Sequence, residues 1–119
     1  MINVVGINDA NSRFNENLLR ENAEIRRELN RFVQVDLHID FVPDWSLSRE
    51  QAIKEGLRNQ EMLERFNQVF TSPAHIVFEF DANQPFKDGL PNGRTLAQHV
   101  GIIEDPRAFA QMLGNAAVK

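Results

Sequence analysis

The sequence predicts an α/β fold in the order βαβαββα. Two observations carry this: β-branched runs at residues 2–7, 33–41 and 74–81 alternate with longer stretches whose apolar residues recur at helical spacing, and proline or polar turn signals separate them. A chain of 119 residues builds one hydrophobic core, so a single domain over residues 1–119 is expected.

The elements follow in order. Residues 2–7 are β-branched and almost continuously apolar, as in a short strand buried on both faces in the middle of a sheet. Asn8 and Asp9 supply a helix start, and Phe14, Leu18, Ile25, Leu29 and Phe32 form the apolar face of a helix over residues 10–31. Between 33 and 41 the period changes to two: Val33, Val35, Leu37, Ile39 and Phe41 face one way, and Gln34, Asp36, His38 and Asp40 the other. Pro43-Asp44 ends that strand, and Ser48-Arg49-Glu50-Gln51 reads as a capping box opening a second helix. Its buried stripe is Ile53, Leu57, Leu63, Phe66 and Phe70, supported by Met62 and Val69.

Thr71-Ser72-Pro73 stops the second helix, because proline disfavours helical geometry in the residue before it. Residues 74–81 form a third strand with Ala74, Ile76, Phe78 and Phe80 on one face and His75, Val77, Glu79 and Asp81 on the other. Residues 82–92 read as a long loop, and a fourth strand is expected over 96–102. Asp105 as N-cap, Pro106 at the first helical position and Gly114 just past the end bracket a short last helix carrying Phe109, Met112 and Leu113.

Composition narrows the function classes. Hydrophobic residues at 42% and charged residues at 25% are those of a chain that folds alone. A net charge of −4 argues against nucleic-acid or anionic-membrane binding, and Arg26 and Arg27 are flanked by Glu24 and Glu28 instead of forming a basic face. With no cysteine there is no disulfide, thiolate metal site, iron–sulfur cluster or cysteine nucleophile. The N-terminal apolar run lacks a preceding basic region and a cleavage pattern, and no run approaches a membrane span, so a cytoplasmic address is expected. Phosphate-loop and dinucleotide glycine patterns are missing, and no cofactor is expected.

Three stretches together resemble the thioredoxin-like superfamily. Residues 24–36, running from Glu24 to Asp36, are similar to the helix and strand that follow the active-site motif of thiol-reductase-type members. The approach Phe66 to Val69, then Ser72-Pro73 leading into Ile76-Val77-Phe78, resembles their cis-proline and the strand beyond it. Asn92-Gly93-Arg94 through Val100-Gly101, with Phe109 and Leu113, is similar to their closing hairpin and last helix. The resemblance implies a mixed four-stranded sheet with three helices, the first strand lying between the second and third, and a cis Ser72-Pro73 bond.

The departures bear on function. Where the superfamily carries Cys-x-x-Cys at the junction of first strand and first helix, this chain reads Asn8-Asp9-Ala10-Asn11. Disulfide exchange needs a thiolate, so oxidoreductase activity is excluded on chemical grounds. The N-terminal strand and helix of full-length thioredoxins are missing as well, which should leave the second strand at a sheet edge, open to a second copy of the chain. Asp36 and Asp40 along it would discourage uncontrolled pairing.

Four stretches are candidate sites. Asp36, His38, Asp40, His75 and Glu79 could form two carboxylate-and-histidine rows for a divalent metal, the basis of a metal-dependent hydrolase, although half-exposed strands show such residues to water anyway. Asn8, Asp9, Ala10 and Asn11 could hold a polar ligand at the helix N-terminus, or Asn8 or Asp9 could simply cap it. Ser72-Pro73 is either a plain turn or, as the resemblance implies, part of a groove receiving an extended peptide. Trp45 is read as packing over the end of the second helix in preference to anchoring a partner. The favoured reading is a non-redox binding, adaptor or chaperone-type module that engages a protein or peptide at Asn8, Asp9, Ala10, Asn11, Ser72 and Pro73, with the hydrolase as its alternative.

Overall fold

The computed structural model describes residues 1–6, 9–40, 42–66 and 72–117, with the side chains of Arg65 and Phe66 left out. Ile7 at the end of the first expected strand, and Asn8, Phe41, Val69, Phe70 and Thr71, named above, lie outside the described residues.

The elements are β1 (Ile2–Val5), α1 (Ala10–Glu21), α2 (Ala23–Leu29), β2 (Val35–His38), α3 (Arg49–Phe66), β3 (Ala74–Phe80), β4 (Phe86–Lys87), β5 (Leu90–Pro91), β6 (Gly93–Val100) and α4 (Pro106–Ala117). Four strands form one mixed sheet in the order β2-β1-β3-β6, with β2 parallel to β1 and the other two pairings antiparallel. The apolar run of β1 is thus hydrogen-bonded on both sides, and β2 occupies an edge, as expected.

Helices cover both faces of the sheet. On one side Leu63 of α3 packs against Val4, Ala74 and Ile76, with Ile2, Leu37, Ile39 and Phe78 at the margin. On the other, Leu19 of α1, Ile25 and Leu29 of α2 and Phe109, Ala110 and Leu113 of α4 enclose Val77 and Ile103. Each fully buried Leu or Ile contributes about 1.5–3 kcal/mol relative to exposure.

The chain has four helices among its described residues where three were expected, because the first breaks at Asn22. Asn22 leaves helical geometry (φ −77°, ψ 121°), its N–H donates to the Leu18 carbonyl at 2.9 Å, and its side chain accepts the Ile25 N–H at 3.1 Å. One residue therefore ends α1 and caps α2, as the competition of an asparagine side chain with the backbone allows. The expected loop at 82–92 contains the hairpin β4–β5. Asp88 and Gly89 form its two-residue turn, both at positive φ (55° and 77°), the combination that suits a tight hairpin. Tilted packing of Phe86 on Phe80, with ring centroids 5.7 Å apart, holds the hairpin near the end of β3.

Other expectations shift. The capping box forms as read: the Ser48 N–H donates to Gln51 Oε1 at 3.0 Å and the Gln51 N–H to Ser48 Oγ at 3.2 Å. Strand β6 begins at Gly93 and ends at Val100, earlier than expected, while α4 runs past Gly114 to Ala117. Gly114 is not a terminator; a methyl group there would stand 3.3 Å from Glu28 Oε2, so the small residue admits α2 beside α4. Phe14, Ile53 and Leu57 are exposed, and Ser12, Asn15 and Ala52 take inward positions beside Leu63, which is buried as expected. Trp45 stands fully in solvent instead of packing on a helix, in a loop where Asp44 Oδ1 accepts from the Ser46 backbone and hydroxyl.

Candidate functional site

The junction of β1 with α1 and the segment entering β3 come together around one carboxylate. Asp9 is the N-cap of α1, with extended backbone and its Oδ1 accepting the Asn11 N–H at 3.0 Å. Its Oδ2 accepts two hydroxyls, Ser12 Oγ at 3.0 Å and Ser72 Oγ at 2.9 Å. Ser12 in turn accepts the Gly6 N–H at 3.1 Å, so the end of β1, the first turn of α1 and the residue before β3 are joined in one network. Gly6 makes room for it: a methyl group there would meet Asp9 Cβ at 3.2 Å and both Asp40 Oδ2 and Ser72 Oγ at 3.3 Å.

Partial burial pushes the Asp9 carboxyl up, but the hydrogen bonds from Ser72, Ser12 and the Asn11 and Ser12 backbone outweigh it and hold the group below the usual aspartate value. Such a carboxylate is a weak base. It stays ionised at neutral pH and orients the two hydroxyls by accepting from both.

Ser72-Pro73 is cis, and the Pro73 carbonyl accepts the Gly101 N–H at 2.8 Å, bringing the segment between β6 and α4 to the same place. Of the six residues named for the groove, Asp9, Ser72 and Pro73 are brought together, Ala10 and Asn11 lie exposed beside them on the first turn, and Asn8 is outside the described residues.

The metal-ligand rows do not converge. Strand β1 separates them: in register, Asn3 stands between Asp36 on β2 and His75 on β3. Glu79 pairs with Arg94 at 3.6 Å, and among the described residues no group of three or more histidine, aspartate or glutamate side chains is placed to hold a metal ion. Asp36 is exposed, as a solvated strand face requires, but His75, on the strand face expected for it, is 1% exposed and not solvated. The cause is the second helical layer: with α1 and α4 over that face, both faces of the first half of β3 are interior.

His75 belongs to a buried polar row that sequence reasoning missed. Asn3 Nδ2 donates to Asp36 Oδ1 at 3.0 Å, and Asn3 Oδ1 lies 2.8 Å from His75 Nδ1. Asn15 Nδ2 lies 3.1 Å from His75 Nε2 and donates to the Gly101 carbonyl at 3.0 Å, while Asn15 Oδ1 accepts the Ile103 N–H at 3.0 Å. Burial, and secondarily the His99 imidazole on β6, lower the His75 pKa to about 4 against the opposing pull of Asp36. The available signal was Asn3 inside an apolar strand and Asn15 on the inner side of a helix, since buried amides need partners.

Comparison with protein-family models, curated proteins and solved structures finds no match to the chain. No helix among the described residues is long and apolar enough to cross a membrane.

Proposed function

We propose that this chain is a cysteine-less thioredoxin-like module that binds an extended segment of a protein or peptide partner, acting as an adaptor or chaperone-type component. The observation that carries it is the 2.9 Å hydrogen bond from Ser72 Oγ to Asp9 Oδ2, which sets the exposed first turn of α1 beside the segment entering β3. The sheet order supports the same fold reading, because β1 lies between β2 and β3 as the resemblance requires.

The lost thiols are replaced by groups suited to recognition. Asn11 presents an exposed amide, able to donate and accept, beside the capped helix end. Asp9 fills the helix terminus with its own carboxylate, so an anionic ligand is disfavoured there and a neutral peptide backbone fits better. A second copy of the chain has a separate place to pair, the β2 edge, where Val33 and Val35 are exposed.

Selection of a displayed random-peptide library on the purified protein tests the reading. Selected peptides should bind the wild type and lose at least tenfold in affinity to Asn11→Arg, which places bulk and charge in the groove without touching the core. A library that yields no binders, or binders indifferent to that substitution, would overturn it.

A further inference from the structure

We propose that His75 is a proton-operated latch: neutral, it locks α1 to the segment between β6 and α4, and one added proton at Nε2 releases that lock. The directions of the hydrogen bonds around the ring are set independently from its two sides.

From β2, the Asp36 carboxylate can only accept, so the Asn3 amide nitrogen faces it and Asn3 Oδ1 faces His75. His75 Nδ1 therefore carries a proton. From the other side, the Ile103 N–H requires Asn15 Oδ1 and the Gly101 carbonyl requires Asn15 Nδ2. That same Nδ2 lies 3.1 Å from His75 Nε2, which must then present its lone pair. Both sides select one neutral tautomer.

A second proton on the ring would sit at Nε2 against the N–H of Asn15. Turning the Asn15 amide over would accommodate it only by losing the bonds to both Gly101 and Ile103. Gly101 also donates to the Pro73 carbonyl at 2.8 Å, so loosening Asn15 loosens the segment that closes on the start of β3.

The groups facing the ring come from every neighbouring element. Asp36 of β2 acts through Asn3 of β1, His99 of β6 lies opposite in register, and Glu16 and Arg20 of α1 share with His75 the wall of a cavity of about 300 Å³. Helix α4 contributes the Phe109 ring, edge-on at 5.5 Å. Glu16 and Asp36 favour the added proton, whereas Arg20, a protonated His99 and the apolar contacts oppose it. The cavity gives water a route to the ring.

The test follows ring-nitrogen and amide NMR signals of the ¹⁵N-labelled full chain, with no partner present, from pH 7.5 to 4, while circular dichroism monitors the fold. At neutral pH His75 should show a protonated Nδ1 and a bare Nε2. The Gly101 and Ile103 amides should then shift together with the ring, at a midpoint at least one unit below that of a free imidazole, while the fold persists. His75→Gln takes up no proton and should abolish the coupled shift. Should that variant fail to fold, Asn15→Asp offers an acceptor to Nε2 and should raise the midpoint by a unit or more. The opposite tautomer, amides that do not follow the ring, a coupled shift surviving in His75→Gln, an unraised midpoint in Asn15→Asp, or global unfolding at the His75 midpoint would each overturn the latch.

Discussion

Ser72 and Asp9, 63 residues apart in sequence, are joined by a hydroxyl-to-carboxylate hydrogen bond of 2.9 Å. Because Asp9 also caps α1, the geometry of the candidate groove and the stability of the helix end depend on one side chain. Asp9→Ala should cost about 1 kcal/mol, as the loss of an N-cap usually does, measured by urea unfolding at pH 7. Ser72→Ala removes one of the donors that lower the Asp9 pKa, so that pKa should rise toward the ordinary value in a carboxyl NMR titration. The sign is that of a depressed carboxyl: its contribution is present above the unfolded value near 3.8 and is lost as pH falls through the lower folded value. An Asp9 titration unchanged in Ser72→Ala would mean that the bond does not persist in solution.

His75 should contribute to the loss of stability on the acid side. Its folded pKa of about 4 lies below the ordinary 6.5, so between those values the unfolded chain binds more protons than the folded one. Stability contributed by the neutral ring is present above pH 6.5 and is lost as pH falls toward 4, by about 3 kcal/mol over the window. Urea midpoints at pH 7, 5.5 and 4.5 should fall progressively, and the part of that fall due to His75 should be missing in His75→Gln.

Gly93 is required by close approach. Opposite Phe80 in the β3–β6 pairing, a methyl group at Gly93 would stand 1.9 Å from the Glu79 carbonyl oxygen. Gly93→Ala should therefore force the strands apart and destabilise the protein by roughly 1–3 kcal/mol, the usual range for overpacking. Gly89→Ala meets no neighbouring atom and has only its positive φ to contend with, so thermal unfolding should show it as the milder change.

Thiol–disulfide turnover should be nil. A chain without cysteine cannot form the mixed disulfide through which exchange proceeds. An insulin-reduction assay on the pure protein should match the buffer blank.

Elements whose signals are local were legible in the sequence. The Ser48–Gln51 capping box and the apolar β1 depend on neighbouring residues alone, whereas the edge position of β2 followed only from the resemblance. Asp88-Gly89 is a hairpin-turn signal, but the polar residues around it carry no strand alternation to flank it. The break at Asn22 was hidden because Leu18, Ile25 and Leu29 keep helical spacing across it. His75 was misassigned because alternation reports which residues share a face, not whether a second helical layer covers that face. The pairing of Asp9 with Ser72 was suggested by resemblance, whereas the amides of Asn3 and Asn15 gained meaning only once the fold brought them to His75.

On the proposed reading, the first turn of α1 and the segment entering β3 form one binding surface. Its most direct measurement is an amide chemical-shift map of the ¹⁵N-labelled chain titrated with a library-selected extended peptide. Saturable shifts should concentrate at Asp9, Ala10, Asn11 and Ser72, with the β2 edge at Val35–His38 unaffected. Shifts concentrated at that edge or on the exposed face of α3, with Asp9 to Asn11 and Ser72 silent, would contradict it.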